Sequence, residues 1–380
     1  MCRRPASLFP PLMTSPAATL APSSRAAALR RLGASDADLG ALLAYTENPF
    51  DLAGPLVLGD EPFVEVWETY LAEAKVKGVL PALRRVLVQL RFPIREGMST
   101  TAPYRAATRR GDLEGLGADG LFQGGLRLVE PEGLRLELHA TPAGRLPVLT
   151  ASAREDFVAL VRALTRRNEP APLPDTMGAL MVSGYNNWDR VRLHRQAWAA
   201  AGAEGTWADA FQRLVPQRAL YQDRIVLLSE GPYSGVPAQL VGMAEADWVR
   251  ASHALRLEHE CAHYYCLRAL GAMRANALDE VIADAYGLAA GAGGYDAGRL
   301  RLFLEGAPGG PPGRVANYTA SLPPSARPVV GRLVRQLAEA LEEDAALRRG
   351  LPASPDVRAA ALRRIVATVG TGWTGAVDAE

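Results

Sequence analysis

The chain reads as an α+β protein, mainly helical, on three observations. Apolar residues recur at three- and four-residue spacing over most of its length. A single stretch, from Phe122 to Leu149, switches to a period of two, and two short apolar runs, at 178–183 and 224–228, sit among helical patterns. Residues 1 to about 28, rich in Pro, Ala, Ser and Thr, are expected to be a disordered tail. From Ala27 to about Arg110 the period is helical: Ser35 and Asp36 cap Leu39, Leu42 and Leu43, and Val64, Trp67, Leu71 and Ala74 continue the spacing. In the period-two stretch, Leu126 and Leu128, then Leu134, Leu136 and Leu138, alternate with Arg127, Arg135 and Glu137. This reads as a hairpin turning at Glu130-Pro131-Glu132-Gly133, with Pro147 to Thr150 as a further strand. A helix at about 153–167 and a Pro-rich linker at 169–174 close an N-terminal helical and hairpin unit, 29–175.

A second unit, 176–380, follows. Gly178 to Ser183 and Arg224 to Leu228 are its strands, and helices are expected near 189–201 and 207–214. A long helix from about Ala244 to Leu270 stops at Gly271, and Asn276 caps the next, which reaches about Ala290. Pro- and Gly-rich sequence at 307–313 precedes two helices, about 325–347 and 356–368.

Composition narrows the classes. The net charge is +1 and no basic stripe is interleaved with aromatics along the chain, which disfavours nucleic acid as a partner. No apolar run approaches the roughly 18 residues of a membrane span. Cys2, Cys261 and Cys266 are too few for a disulfide framework, the pattern of a reducing compartment, and Pro10 and Pro11 interrupt the N-terminal apolar patch. The expectation is a cytoplasmic protein; oligomeric state is left open.

The chemistry is concentrated in Leu257-Glu258-His259-Glu260-Cys261-Ala262-His263. Residues four apart on a helix share a face, so His259 and His263 can offer imidazole nitrogens to one ion. Glu260, one step from His259, comes near such an ion without ligating it, where a carboxylate can accept a proton from water. The chain holds five histidines, so two of them flanking a glutamate at this spacing is an unlikely accident. The next helix opens Ala277-Leu278-Asp279-Glu280 and carries Asp284 four residues on. If it packs antiparallel, it brings Glu280 toward the histidines as a third ligand. Asp279 alone is explained by the helix dipole.

His-Glu-Cys-Ala-His followed by Asp-Glu-Val-Ile-Ala-Asp resembles the gluzincin metallopeptidases, the thermolysin-like clan, whose second motif is a Glu followed four residues later by an Asp. The resemblance covers residues 255 to 287 and implies a zincin-like fold for the second unit, with a small sheet and the motif on its active-site helix. It implies His259, His263 and Glu280 as ligands of one zinc ion per chain, Glu260 as general base and acid, and Asp284 as the carboxylate orienting the first histidine. A peptide or small amide would be the substrate. No histidine follows His263, so the transition-state stabiliser would be Tyr286, Tyr295, Tyr318 or an arginine such as Arg314. Ala269 stands six past His263, which excludes a metzincin, while an Asp ligand through Asp284, as in aspzincins, fits less well than Glu280. The strand at Arg224 to Leu228 is where zincins keep the edge that pairs with extended substrate. The rival to an enzyme is a non-catalytic metal- or partner-binding scaffold, against which Glu260 argues. His139, His194 and His253 lack a metal partner at helical spacing, and Cys261 reads as a small buried hydrophobe.

Overall fold

The computed structural model describes residues 22–47, 57–202, 204–271, 276–307 and 313–373. It is α+β and mainly helical, with a four-stranded mixed sheet. The first helices are α1 (Pro22–Arg31), α2 (Asp36–Tyr45), α3 (Val64–Lys77), α4 (Val79–Val86) and α5 (Ala102–Arg110). The strands are β1 (Arg135–Thr141), β2 (Gly144–Ala151), β3 (Ala179–Asn186) and β4 (Gln222–Ser229). Between them lie α6 (Arg154–Thr165), α7 (Trp188–Ala200) and α8 (Trp207–Leu214). The C-terminal half adds α9 (Glu245–Leu270), α10 (Ala277–Gly291), α11 (Ala297–Glu305), α12 (Val315–Tyr318), α13 (Arg327–Glu342), α14 (Ala345–Arg349) and α15 (Pro355–Thr371).

Three expectations change. Helix α1 begins at Pro22, so 22–28 is helical rather than tail; the rest of the expected tail, 1–21, lies outside the described residues. The hairpin is formed by β1 and β2, turning at Pro142 and Ala143 and not at 130–133. The stretch at 126–130 cannot enter a ladder, because the backbone N–H groups of Val129 and Glu130 donate to the Asp156 carboxylate in the first turn of α6, at 2.6 and 2.9 Å. Finally, β4 is not an edge strand. The sheet order is β1-β2-β4-β3, which puts β4 inside and β3 at the edge. The unbroken apolar run Ile225-Val226-Leu227-Leu228, every residue of it fully buried, is the signature of a strand covered on both faces.

The sheet also crosses the boundary drawn at 175. Strand β2 pairs parallel with β4, Val148 opposite Val226 and Leu149 opposite Leu227, while β3 pairs antiparallel with β4. One core runs through both halves, from Leu42 and Trp67 through the sheet to Leu333 and Ile365. Where α3 meets the sheet, Trp67 Nε1 and Asn187 Nδ2 donate to Asp223 at 2.9 and 2.7 Å, and Arg190 pairs with the same carboxylate at 2.6 Å.

Helices α9 and α10 pack against each other at the centre of the C-terminal half. Two glycines permit their close approach: a Cβ on Gly287 would lie 2.9 Å from the Leu255 carbonyl oxygen, and one on Gly291 would lie 2.5 Å from that of Ala254. Helix α9 ends at Gly271, whose φ of +69° is the left-handed conformation a helix stop favours. Asn276 opens α10 as expected, its side chain accepting from the N–H groups of Leu278 and Asp279 at 2.9 and 3.2 Å. Its amide also donates to the Tyr45 carbonyl at 3.1 Å, tying α10 to α2. Asn276→Ala is expected to lower stability by about 0.5–2 kcal/mol, the range for a lost N-cap, read by denaturant unfolding.

Candidate metal centre

The antiparallel α9–α10 pair brings the motif residues together. His259 and His263 turn their Nε2 atoms toward each other at 3.0 Å. Glu280 faces both, Oε2 at 3.7 Å from His259 Nε2 and Oε1 at 3.4 Å from His263 Nε2. The three donor atoms lie within 4.8 Å of one another, a grouping that could hold a metal ion. All three side chains are buried, as is Glu260.

Behind His259 stands a second layer. Its Nδ1 donates to Asp284 Oδ1 at 2.8 Å, which places the proton on Nδ1 and leaves the Nε2 lone pair facing the site. The Tyr233 hydroxyl donates to the same Asp284 oxygen at 2.5 Å and lies 2.9 Å from His259 Nδ1. Arg314 closes the arrangement from outside, paired with Glu280 Oε2 at 3.1 Å and with the other oxygen of Asp284.

The electrostatics follow from burial and these partners. Burial alone would raise the Asp284 carboxyl, but Arg314, His259 and the Tyr233 hydroxyl hold it well below the usual carboxylate range. Glu280 is likewise opposed by burial, and the hydrogen bond from His263, the two imidazoles and Arg314 bring it down to about 2. Burial disfavours a charge on His263, yet its bond to Glu280 and the nearby carboxylates raise it to about 9. Glu260 moves the other way. Burial lifts its carboxyl above the ordinary value against the pull of the two histidines and of the Met181 N–H that lies against it. In the metal-free protein His263 therefore carries a proton at neutral pH, and a divalent cation must displace it. Uptake at pH 7.5 is expected to release about one proton per ion, and affinity to fall as pH is lowered, since the proton competes for the same nitrogen. Calorimetry in two buffers of different ionisation enthalpy reads both.

The aromatic candidates separate. Tyr318, at the end of α12, turns its phenol to the Glu280 carboxylate. The Tyr295 hydroxyl donates to the Ala338 carbonyl at 2.8 Å, and Tyr286 lies on the Glu258 side of α9, so neither reaches the centre. Tyr233 was not anticipated. It sits in Gly231-Pro232-Tyr233-Ser234-Gly235, the turn between β4 and α9; this Gly- and Pro-bounded tyrosine just upstream of the motif helix was the one available signal. On the back of α9, His139, Glu258 and Cys261 also converge. Glu258 is already paired with Arg358, and burial holds the Cys261 thiol well above its usual range, so the thiolate a metal would need is disfavoured on this face of the helix. Tyr264 and Tyr265 are core, both fully buried.

No described helix is long and apolar enough to cross a membrane. No curated protein and no solved structure matches the chain. One family model does, over residues 27–363, a span that takes in the sheet, both motif helices, Tyr233 and Arg314. The chain belongs to that family, a family of unknown function (DUF7005).

Proposed function

We propose that this chain is a zinc-dependent hydrolase of the gluzincin kind that cleaves peptide bonds, with His259, His263 and Glu280 holding one zinc ion. The donor set supports zinc. Zinc bonds to nitrogen and oxygen of about 2.0–2.2 Å, at tetrahedral angles, set neighbouring donors roughly 3.3–3.6 Å apart. The separations here are 3.0, 3.4 and 3.7 Å, so little movement is needed. When bound, zinc supplies a Lewis acid that acidifies water and polarises a carbonyl.

The observation that carries the enzymatic reading is Glu260, a buried carboxylate beside the three donors but outside their triangle. A structural site has no use for such a group. Its raised proton affinity suits the task of taking a proton from water and passing it to the leaving amine. Asp284 and Tyr233 keep His259 in one tautomer, and Arg314 and Tyr318, both against the Glu280 carboxylate, are the candidate donors to a developing oxyanion.

Peptide, rather than another acyl substrate, is supported by β3. Gly178 accepts from Ser229 N–H at 2.8 Å, so alternation along an antiparallel pair turns the backbone groups of Ala179 and Met181 away from β4, toward a free edge. Met181 is also the residue whose N–H lies against Glu260, so a strand laid on that edge would run past the general base. The non-catalytic scaffold is favoured by one feature: the four central side chains are buried, and Arg314 already neutralises Glu280 and Asp284. Zinc-loaded full-length protein assayed on a broad peptide library tests the reading. Hydrolysis abolished by chelation and restored by zinc is the expected result, and silence across the library would favour the scaffold.

A further inference from the structure

Away from the metal centre, and sharing no residue with it, a cavity of about 460 Å³ opens between the C-terminal ends of α4 and α5 and one face of α7, with α8 as its far wall. Its size lies within the range of small-molecule sites. Six arginines line it, Arg85, Arg91, Arg109, Arg110, Arg192 and Arg195, against a single acid, Asp189. Asp189 is fully engaged, by the Tyr70 hydroxyl at 2.9 Å, Arg192 at 2.6 Å and Arg85 at 3.3 Å. Arg91 is spent on the backbone carbonyls of Arg84, Arg85 and Gly120. Arg109, Arg110 and Arg195 have no ion pair or hydrogen bond among the described residues, although they converge on one concavity. Basic residues at the end of α5 are ordinary, since they suit the helix dipole. Arg195 has no such explanation: it stands in the middle of α7, on the face it shares with Trp188 and Arg192 at helical spacing.

The other half of the wall is aromatic. Trp188 and Phe211 stack with centroids 6.2 Å apart and planes at 27°, and Trp207 continues the row at 6.0 Å from Phe211. All three rings are half-buried, so part of their surface is open. Trp188 is held in place: its Nε1 donates to the Thr108 carbonyl at 2.9 Å, and its ring lies so close to Gly111 that a Cβ there would come within 2.8 Å. Fixed rings beside guanidinium groups that no group among the described residues engages match a ligand that is planar at one end and polyanionic at the other. Aromatic faces stack on bases, and guanidinium forks take phosphate oxygens bidentately.

We propose that this cavity binds a nucleoside phosphate, its base against Trp188, Trp207 and Phe211 and its phosphates on Arg109, Arg110 and Arg195. The same chemistry is presented by a free nucleotide and by the end of a single strand, and the test separates them. Full-length protein is titrated with N-methylanthraniloyl-ADP in EDTA, so that the state of the metal centre does not enter, while energy transfer from tryptophan is followed. Saturable binding, displaced by ADP, is expected. The Arg109→Ala, Arg110→Ala, Arg195→Ala triple variant, which removes the charge-assisted hydrogen bonds to the phosphates, should bind at least about tenfold more weakly. These side chains are exposed, so its circular dichroism should match wild type. Adenosine and tripolyphosphate should each compete far less well than ADP. A short single-stranded oligonucleotide that competes better than ADP assigns the site to strand ends, and one that competes worse assigns it to free nucleotide. The proposal is overturned if millimolar ADP gives no displacement, if the triple variant binds like wild type, or if an acidic peptide or tripolyphosphate competes as well as ADP.

Discussion

Glu260→Gln is expected to keep the metal and lose the chemistry. Glutamine has the shape of glutamate and can still accept from the Met181 N–H, so neither the packing of α9 nor the triangle of His259, His263 and Glu280 should change. What disappears is a group able to take a proton from water and return it to the leaving amine. Loss of a general base typically costs about 10²–10⁴-fold in rate, and more when the same group also donates the proton. Elemental analysis, thermal unfolding and peptide hydrolysis measured side by side should give wild-type values for the first two and a collapse in the third. A variant that hydrolyses peptide as fast as wild type would refute the mechanism. If neither form cleaves any peptide while both hold zinc, the site is a scaffold.

The second large effect concerns which carboxylate of α10 meets the metal. His263→Ala, His259→Ala and Glu280→Ala each remove one of three protein donors, and each should abolish tight zinc binding. Asp284→Asn should leave zinc bound and weaken affinity or activity about 10–100-fold, as loss of an orienting partner does. The geometry gives the reason. Asp284 reaches His259 from the Nδ1 side, 2.8 Å away, whereas Glu280 faces the Nε2 atoms of both histidines. If Asp284→Asn empties the site and Glu280→Ala does not, the assignment is reversed and the site is of the aspzincin type.

Much of this was legible in the sequence because it is written at short range. His259, Glu260 and His263 share one turn of helix, Glu280 and Asp284 another, and Gly271 and Asn276 mark where the chain reverses between them. The helical class, the ends of α9 and the cap of α10 follow from such local signals. What depended on long-range pairing was misread or missed. Alternation along Leu134 to Leu138 identified a strand but not its partner, and the turn was placed on the wrong side of it because the claim of Asp156 on residues 129 and 130 comes from a helix 26 positions away. The central place of β4 is signalled by its unbroken apolar run, but the zincin resemblance points to an edge strand there and outweighs that signal. Tyr233 joins the site from outside the motif, whereas Arg314 is named among the candidates but its pairing with Glu280 and Asp284 is set only by the fold; the arginines of the α4–α5–α7 cavity lie in separate segments that only folding gathers.

The parallel pairing of β2 with β4 has a consequence for how the chain can be made. Val148 meets Val226 across 78 intervening steps of sequence, and nothing between them can substitute for that contact. During synthesis the β1–β2 hairpin must wait, with one flank of backbone groups unpaired, until β4 has left the ribosome, and closure over so long a separation is slow. A fragment starting at 176 would meet the reverse problem: β4 would be born with its Val226-Leu227-Leu228 flank bare, an open template for association with other copies. The half that carries the metal residues thus needs the other half as a folding partner.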